Sequence, residues 1–317
     1  MATAKKIPIS RIPLYWYLYL LIIPSVILVA VFSYFPAVSG IYHSFFRWNG
    51  DYIKEFVAFR NYAEAFRDPI LGRGFIIIFV LVTANVVKMI PSVITAVVIN
   101  RLKSDQSAYI YKVLFVVPMI IPWMVYLLVW KFFYDPNTGL LNAVLNGTGM
   151  MDVLQWIDGI FDWGVFIEGS NPVWLGNEKL VVPALIIWGF PWVGVVGVLI
   201  YLAGLQAIDK SVYEAAEIDG IGWLGKFWYI EFPLIMTQVR INIVMLVIST
   251  LKSYGLMLVL FGVEGGPNGI ALVPGLYMYV NAFAYQRVGY ACAIGILLFF
   301  FILILTEFNN RFVRVDK

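Results

Sequence analysis

A short charged segment between two apolar runs decides how this chain is organised. It reads Asp209-Lys210-Ser211-Val212-Tyr213-Glu214-Ala215-Ala216-Glu217-Ile218-Asp219-Gly220 and continues to Pro233. An uncharged apolar run, 180–208, precedes it, and a second apolar run, 241–263, follows it with Lys252 as its one charge. The segment is too polar to lie in lipid. It therefore predicts an amphipathic element held at the surface of a membrane.

The composition indicates a membrane protein. Hydrophobic residues make up 62% of the chain and charged residues 13%, whereas soluble domains carry about 25% charge. A helix needs roughly 17–25 apolar residues to cross the hydrocarbon core. Six runs meet that length: 14–35, 75–99, 113–133, 180–208, 241–263 and 288–306. Backbone groups in lipid must be satisfied within each helix, so we expect an all-α membrane protein with six transmembrane helices.

The residue counts exclude several kinds of site. The single cysteine, Cys292, cannot form an intrachain disulfide, and the single histidine, His43, cannot form a metal cluster by itself. The net charge of +3 comes without a basic patch interleaved with aromatics, so nucleic acid is not an expected partner. The first span is longer than the apolar core of a signal peptide, and it ends in aromatic Tyr34 and Phe35 where a signal peptide has a small-residue cleavage site, so we expect it to be retained.

Basic residues orient the predicted spans. Six spans place both termini on one side of the membrane. If that side is the cytoplasm, the inner segments carry twelve Lys and Arg residues and the outer segments carry eight. This bias agrees with the positive-inside rule, although five basic residues in the first outer loop weaken it. The loop 134–178 has six acidic residues and no Lys or Arg, which favours an external position.

The external loop 134–178 is too long to be a simple connector. It contains Trp156, Trp163 and Trp174, and tryptophan is enriched at membrane interfaces. Two interpretations remain open. The loop is either a docking surface for an external partner or a set of interfacial helices that lie on the lipid headgroups.

The charged segment predicts two small helices. Asp209 is suited to cap a helix N-terminus, because its carboxylate can accept a free backbone N–H. Gly220 is suited to the left-handed position that ends a helix. Trp223 and Phe227 follow with helical spacing. We therefore expect the segment 209–240 to contain two helices joined near Gly220.

This segment resembles the cytoplasmic signature of the integral-membrane permease subunits of ATP-binding-cassette importers. Its order and spacing are matched by Glu214-Ala215-Ala216, Gly220 and Ile230-Glu231-Phe232-Pro233, with Asp219 before the glycine. Ile221 and Phe232 stand where Ala and Leu are usual, and Thr237 where a second Pro is common. Other stretches resemble carbohydrate-type members of the family: Leu114-Phe115-Val116-Val117-Pro118, Gly139-Leu140-Leu141-Asn142 and Gly265-Gly266-Pro267.

The resemblance implies roles and partners. In that family the segment is a coupling helix that seats in a groove on an ATPase subunit. This implies coupling roles for Glu214, Ala215, Ala216, Asp219, Gly220, Phe227 and Pro233. The implied partners are a second related permease subunit, two ATPase subunits that use ATP and Mg²⁺, an external solute-binding protein and membrane lipid. The chain itself is expected to bind no cofactor and to lie in the inner (plasma) membrane of a prokaryote.

A second motif in the same segment does not indicate nucleotide binding. Residues 220–226 match the first positions of the phosphate-binding pattern Gly-x-x-x-x-Gly-Lys-[Ser/Thr], but Phe227 replaces the hydroxyl residue that contacts Mg²⁺. We therefore expect no ATPase site in this chain, and the energy source must be a separate subunit.

Polar residues within the predicted spans are candidates for a translocation pathway. Asn85 and Lys88 lie three residues apart in the second span, and Lys252, Ser253 and Tyr254 are consecutive in the fifth. A charge at bilayer depth costs about 2.5–3.5 kcal/mol or more and usually faces a cavity or a partner. Such donors can bond sugar hydroxyls. The alternatives are contacts between helices, snorkelling and, for Lys88, a carbonyl left free near a proline.

Trp188 and Trp192 flank Pro191 in the fourth span. They suit stacking on a sugar ring, although packing in the core or against lipid is the more common role. Two other function classes are disfavoured. An ion-coupled secondary transporter predicts Asp or Glu within the spans, and a membrane-embedded enzyme predicts clustered His, Asp or Glu. The six predicted spans contain no Asp or Glu.

The sequence therefore predicts the permease subunit of an ATP-driven importer for a sugar or sugar-like solute, with an ion-coupled secondary transporter as the alternative. The expected organisation is a cytoplasmic tail (1–13), a first transmembrane helix with an external loop (14–71), the permease transmembrane domain (72–310) and a second cytoplasmic tail (311–317). Within the third of these lie the external loop 134–178 and the coupling loop 209–240.

Overall fold

The structure is a computed structural model that describes residues 16–52 and 54–312. The predicted tail 1–13 and all but the start of the tail 311–317 lie outside the described residues. The helices are α1 (Trp16–Val29), α2 (Phe35–His43), α3 (Arg60–Arg67), α4 (Pro69–Val87), α5 (Ile90–Asn100), α6 (Asp105–Val116), α7 (Trp123–Phe133), α8 (Leu140–Gly147), α9 (Met150–Phe161), α10 (Glu178–Ile187), α11 (Val195–Gln206), α12 (Lys210–Ile218), α13 (Trp223–Lys226), α14 (Phe232–Leu234), α15 (Met236–Leu251), α16 (Gly255–Phe261), α17 (Pro274–Phe283) and α18 (Val288–Phe312).

The mostly helical fold is confirmed, with one addition. Strands β1 (Phe46–Trp48) and β2 (Lys54–Phe56) form an antiparallel hairpin after α2. This hairpin lies against the start of α18, where a side chain at Gly289 would come within 1.9 Å of the carbonyl oxygen of Phe46. Only glycine permits that approach, so Gly289 allows the hairpin to pack on the last helix.

Three helical stretches among the described residues are long and apolar enough to cross a membrane: Tyr19–His43, Pro69–Asn100 and Val288–Arg311. They contain most of the first predicted span and the whole of the second and last. The first continues from α1 through a π-helical turn into α2. The second joins α4 to α5 across a short turn at Lys88-Met89. Counting three further helix pairs that are sharply bent, the described chain has up to six spans.

The spans predicted at 113–133, 180–208 and 241–263 are helical, but each is interrupted. The third is bent by 88° between Ile120 and Trp123, because Pro122 ends the preceding helix and holds Ile121 in an extended conformation. The fourth is interrupted between Ile187 and Val195, a stretch that contains Pro191, and proline cannot continue the helical hydrogen-bond ladder.

The fifth span is interrupted at residues 252–254, between α15 and α16. This break contains neither Pro nor Gly. Its neighbour on α17 is Gly275, where an added side chain would come within 3.3 Å of the carbonyl oxygen of Leu251. The last turn of α15 therefore packs backbone to backbone on α17. This is a tertiary contact, and the local sequence gives no sign of it.

The described helices bury two apolar clusters along the predicted spans. The larger cluster joins α4, α10 and α15–α18 around residues such as Ile78, Leu251, Leu276 and Ile294. The second joins α5 to α11 around Ala96 and Tyr201, among others. By contrast, the apolar window of the first long helix is entirely unburied. Lipid or another subunit must cover that surface, because an apolar face of this size is not stable in water.

The loop 134–178 folds into a small packed unit. Helices α8 and α9 lie within it, and a third apolar cluster includes Leu145, Met151 and Trp174. The carboxylate of Asp158 is buried and accepts the backbone N–H groups of Phe166, Val165 and Gly164. These bonds hold the pKa of that carboxyl below its usual range.

Candidate functional site

The main cavity, named for its polar lining and smaller than an apolar cavity of about 930 Å³ beside α2 and α18, has a volume of about 490 Å³. It lies where the second, fourth and fifth predicted spans meet. Two helix breaks border it, the turn between α4 and α5 and the irregular segment 188–194 between α10 and α11. The lining combines hydrogen-bonding side chains and aromatic rings, among them Asn85, Lys88, Ser92, Tyr126, Trp188, Trp192, Asn242, Ser249 and Thr250. Polar groups beside aromatic faces are the usual means of binding a polar organic solute.

Lys88 closes the end of α10. Its Nζ donates to the carbonyl oxygen of Leu185 at 3.2 Å and to that of Trp188 at 3.3 Å. The last carbonyls of a helix have no partner within the helix and carry partial negative charge. The ammonium satisfies them and lies 5.8 Å from the ring centroid of Trp192. The sequence suggested that Lys88 could bond a carbonyl left free near a proline, which is Pro91. In the structure its hydrogen bonds go to carbonyls of the fourth span.

Ser92 bonds backbone groups just before the start of α11, as Lys88 does at the end of α10. Its Oγ donates to the carbonyl oxygen of Trp192 at 3.3 Å and accepts the N–H of Gly194 at 2.9 Å. The second span therefore holds both ends of the irregular segment 188–194, with Lys88 at one end and Ser92 at the other. Sequence reasoning missed Ser92. Its spacing of four residues from Lys88, one helical turn, was the available signal.

Asn85 connects the second span to the fifth. Its Nδ2 donates to Oγ1 of Thr250 at 3.0 Å. Both residues also line a neighbouring cavity of about 240 Å³, together with Trp188 and Ser253. The indole Nε1 of Trp188 is buried and has no hydrogen-bond partner within the described chain. An unpaired buried donor at a cavity wall is a position where a ligand or water oxygen gains a hydrogen bond.

The predicted pathway residues do not lie together in one site. Asn85 and Lys88 line the main cavity, and Ser253 lines only the smaller one. Lys252 ends α15 and is exposed on the surface of the single chain. Tyr254 lines a different, apolar cavity and stacks on Tyr279 with 5.2 Å between ring centroids. Trp188 and Trp192, for which core packing was the more common expectation, both line the main cavity.

The charged segment forms the predicted pair of helices. Asp209 caps α12 by accepting the N–H of Ser211 at 2.9 Å, and this bond lowers the pKa of its carboxyl. After α12 the chain reverses at Gly220, whose φ of +72° is left-handed. The N–H of Ile221 then donates to the carbonyl oxygen of Ala216 at 2.9 Å, which closes the end of the helix.

Helix α12 has a buried face and an exposed face. Ala216 is 2% exposed and Tyr213 is half-buried, so these two residues point toward the rest of the chain. Glu214 and Ala215 are exposed, and Ile218 is 88% exposed. The two alanines of the Glu-Ala-Ala triplet therefore have different surroundings. Ala215 faces outward, where a partner can approach closely, and Ala216 packs inward.

The inner face of α12 reaches a buried ion pair. Glu231 is fully buried, and its carboxylate accepts Arg101 Nε at 3.0 Å and Nη2 at 2.6 Å. The hydroxyl of Tyr213 donates to the same carboxylate at 3.4 Å. Burial and the neighbouring negative charge raise the pKa of Tyr213 to about 12, so the hydroxyl stays protonated and remains a donor. Arg101 also contacts Trp223, donating to its carbonyl oxygen at 3.0 Å.

The remaining coupling candidates lie around this pair. Asp219 is exposed at the end of α12. Phe227 begins a π-helical turn that contains Glu231 and packs against the apolar cluster of α5 and α11. Pro233 lies in the short helix α14 that follows. The exposed residue Glu217 pairs with Lys226 at 2.8 Å and so ties α12 to α13.

The chain belongs to the family of binding-protein-dependent transport system inner membrane components, whose match covers residues 78–314. It is accordingly a membrane protein and a translocation-pathway subunit of an ATP-binding-cassette importer. The described fold, with broken helices around a polar cavity, suits that assignment because discontinuous helices commonly border solute sites in transporters.

Several relatives match nearly the whole chain. A probable ABC transporter permease protein of Bacillus subtilis is 26% identical over 94% of this chain and 96% of its own length. A multiple sugar-binding transport system permease protein of Streptococcus mutans is 30% identical over 91% of each chain. Among solved structures, a chain of a bacterial alginate ABC transporter superimposes with a TM-score of 0.76 at 20% identity, covering 96% of both chains.

Proposed function

We propose that this permease carries a sugar or sugar-like solute that an external solute-binding protein delivers. The main support is the cavity between the second, fourth and fifth spans, where Trp188 and Trp192 lie beside amide, hydroxyl and ammonium donors. Aromatic faces pack on the apolar faces of sugar rings while polar groups bond the hydroxyls. The names of several relatives, including a diacetylchitobiose uptake permease of Streptomyces coelicolor, point to the same solute class.

The proposed complex contains five kinds of component: this chain, a second related permease, two ATPase subunits, the binding protein and surrounding lipid. The exposed first helix and the exposed residues Lys252 and Tyr254 leave room for the second permease. Lys252 therefore remains a pathway candidate on the side of the chain that a partner would complete. The proposed location is the plasma membrane of a prokaryote, and ATP and Mg²⁺ are used by the ATPases alone.

The proposed coupling surface is the exposed face of α12. Glu214 is exposed and has no hydrogen-bond or ion-pair partner within the described chain, so it is free to bond a basic group of an ATPase. Ala215 permits close approach of an ATPase surface, and Gly220 sets the direction in which the chain leaves α12. ATP binding would draw the two ATPases together and move α12. The movement would reach the spans through Tyr213, Glu231 and Arg101, and the cavity would change the side to which it opens.

The uptake of sugars by the reconstituted complex tests this function. Proteoliposomes containing both permeases and the ATPases, with the binding protein outside, are expected to take up at least one member of a panel of mono- and oligosaccharides when ATP is inside. Uptake should require the binding protein. Uptake driven by an ion gradient without ATP would instead support the secondary-transporter alternative and reject the proposal.

The proposed orientation places both termini and residues 209–240 in the cytoplasm and residues 134–178 outside. The acidic residues of 134–178 and the bias of basic residues support it. In a variant with Cys292 replaced by Ser, a cysteine at exposed Phe161 is expected to react with an impermeant maleimide in sealed cells. A cysteine at exposed Ile218 should react only after permeabilisation. The reverse labelling pattern would invert the topology.

A further inference from the structure

The main cavity has an unbalanced charge. Among its described lining residues Lys88 is the one ionisable residue that is positively charged at neutral pH, and none of them is Asp or Glu. The neighbouring smaller cavity is lined by no charged residue within the described chain. A charge held at bilayer depth is costly and usually has a partner of opposite sign. Here no such partner is supplied by the protein residues around the cavity.

The carbonyl contacts of Lys88 do not remove this imbalance. The carbonyl oxygens of Leu185 and Trp188 fix the position of the ammonium, and they use two of its three N–H donors. They carry partial negative charge but no net charge, so they offset the charge of the ammonium only in part. A neutral amide also donates N–H bonds to carbonyl oxygens, and it would avoid the cost of placing a full charge in the membrane. A role limited to closing α10 therefore does not account for the charge.

The surroundings of the ammonium fit a particular kind of solute. The ring centroid of Trp192 lies 5.8 Å from Nζ, and Trp188, whose indole N–H is unpaired within the described chain, lines the same cavity. Asn85, Asn242 and Ser249 add neutral polar groups along the wall. A sugar ring could pack on the aromatic faces, place its hydroxyls against the neutral groups and place an acidic substituent against Lys88.

We propose that the transported solute is an anionic carbohydrate or polyol, one that carries a carboxylate, phosphate or sulfonate group, and that Lys88 is the residue that selects its charge. This rests on the proposed function and goes further by naming the charge of the solute. A charge-assisted hydrogen bond between the third N–H of Lys88 and the acidic group would supply the selectivity.

The experiment measures uptake by the complete complex in proteoliposomes with its binding protein. The solutes are used in pairs of similar structure, one member neutral and the other anionic. The pairs are glycerol and glycerol 3-phosphate, cellobiose and cellobiuronic acid, and mannobiose and dimannuronate. Wild-type complex is expected to take up at least one anionic member faster than its neutral partner. Each variant is then compared with wild type for the same solute, which cancels the selectivity of the binding protein.

Three substitutions separate charge from capping. Lys88→Gln keeps N–H donors for the two carbonyls but removes the charge, Lys88→Met removes both, and Lys88→Arg keeps the charge. Lys88→Gln and Lys88→Met should each lower anion uptake per assembled complex by about tenfold or more, the size expected for losing one charge-assisted hydrogen bond. Lys88→Arg should retain more of it. The control is Lys131→Met, an exposed lysine that also bonds a carbonyl oxygen, that of Val259, away from the cavity.

The outcomes distinguish this inference from the function on which it rests. If neutral members are carried as well as or better than their anionic partners, the charge inference is overturned and the sugar permease stands. The same holds if Lys88→Gln carries anions at the wild-type rate, because Lys88 is then a helix cap only. If no sugar of either charge is carried, the proposed function itself fails, and the charge inference fails with it. The phosphate and carboxylate pairs show which acidic group is preferred.

Discussion

Arg101→Met is expected to destabilise the assembled complex by about 3–5 kcal/mol, because it leaves a buried carboxylate without its counter-charge. The side chain of Glu231 is 0% exposed and that of Arg101 is 17% exposed, so little water reaches the carboxylate to replace the lost guanidinium. The hydroxyl of Tyr213 would remain as a donor to the carboxylate. The measurement is the midpoint temperature of thermal unfolding of the purified complex.

Two further variants make the test specific. Arg101→Met combined with Glu231→Leu should recover much of the lost stability, because replacing both members of a buried pair by apolar residues is often neutral. Lys226→Met breaks the other pair near α12, but its partner Glu217 is 69% exposed and stays hydrated. It should therefore have little effect. If Arg101→Met is no more destabilising than Lys226→Met, the buried pair does not stabilise the coupling region.

Local signals in the sequence predicted the ends of α12. Asp209 and Gly220 perform the capping and terminating roles expected of them, because those roles depend on a carboxylate or a missing side chain at one position. The pairing of Arg101 with Glu231 could not be predicted in the same way. The two residues lie 130 positions apart, and no local feature of the sequence marks either one as the partner of the other.

The cavity was only partly predictable for a related reason. Hydropathy identifies segments that are apolar enough for lipid, but it does not indicate where a helix is interrupted. The turn at Lys88-Met89 and the irregular segment 188–194 lie together because α5 packs on α11 and because Lys88 and Ser92 bind the two ends of that segment. Sequence reasoning selected Lys88 for its charge. It missed Ser92, since one hydroxyl in an apolar helix is common and has no strong signal of its own.

Glu214→Ala and Gly220→Val are expected to lower solute-stimulated ATP hydrolysis and transport by about tenfold or more while leaving the subunit in the membrane. For Glu214 the reason is the loss of a charge-assisted contact with an ATPase. The matched control is Glu217→Ala, one helical turn away, because that acid already pairs with Lys226 within the chain. Equal losses in both glutamate variants would mean that general surface charge, and not Glu214, matters for coupling.

For Gly220 the reason is the backbone. Its φ of +72° is strained for any residue with a side chain, and most of all for β-branched valine. An added side chain at Gly220 meets nothing within 4 Å, so a steric clash is not the cause. Gly222 provides the control, since it is equally open but has an ordinary φ of −71°. Gly222→Val should leave coupling close to wild type. If Gly220→Val also hydrolyses ATP and transports at wild-type rates, the direction in which the chain leaves α12 does not determine how the ATPases engage it.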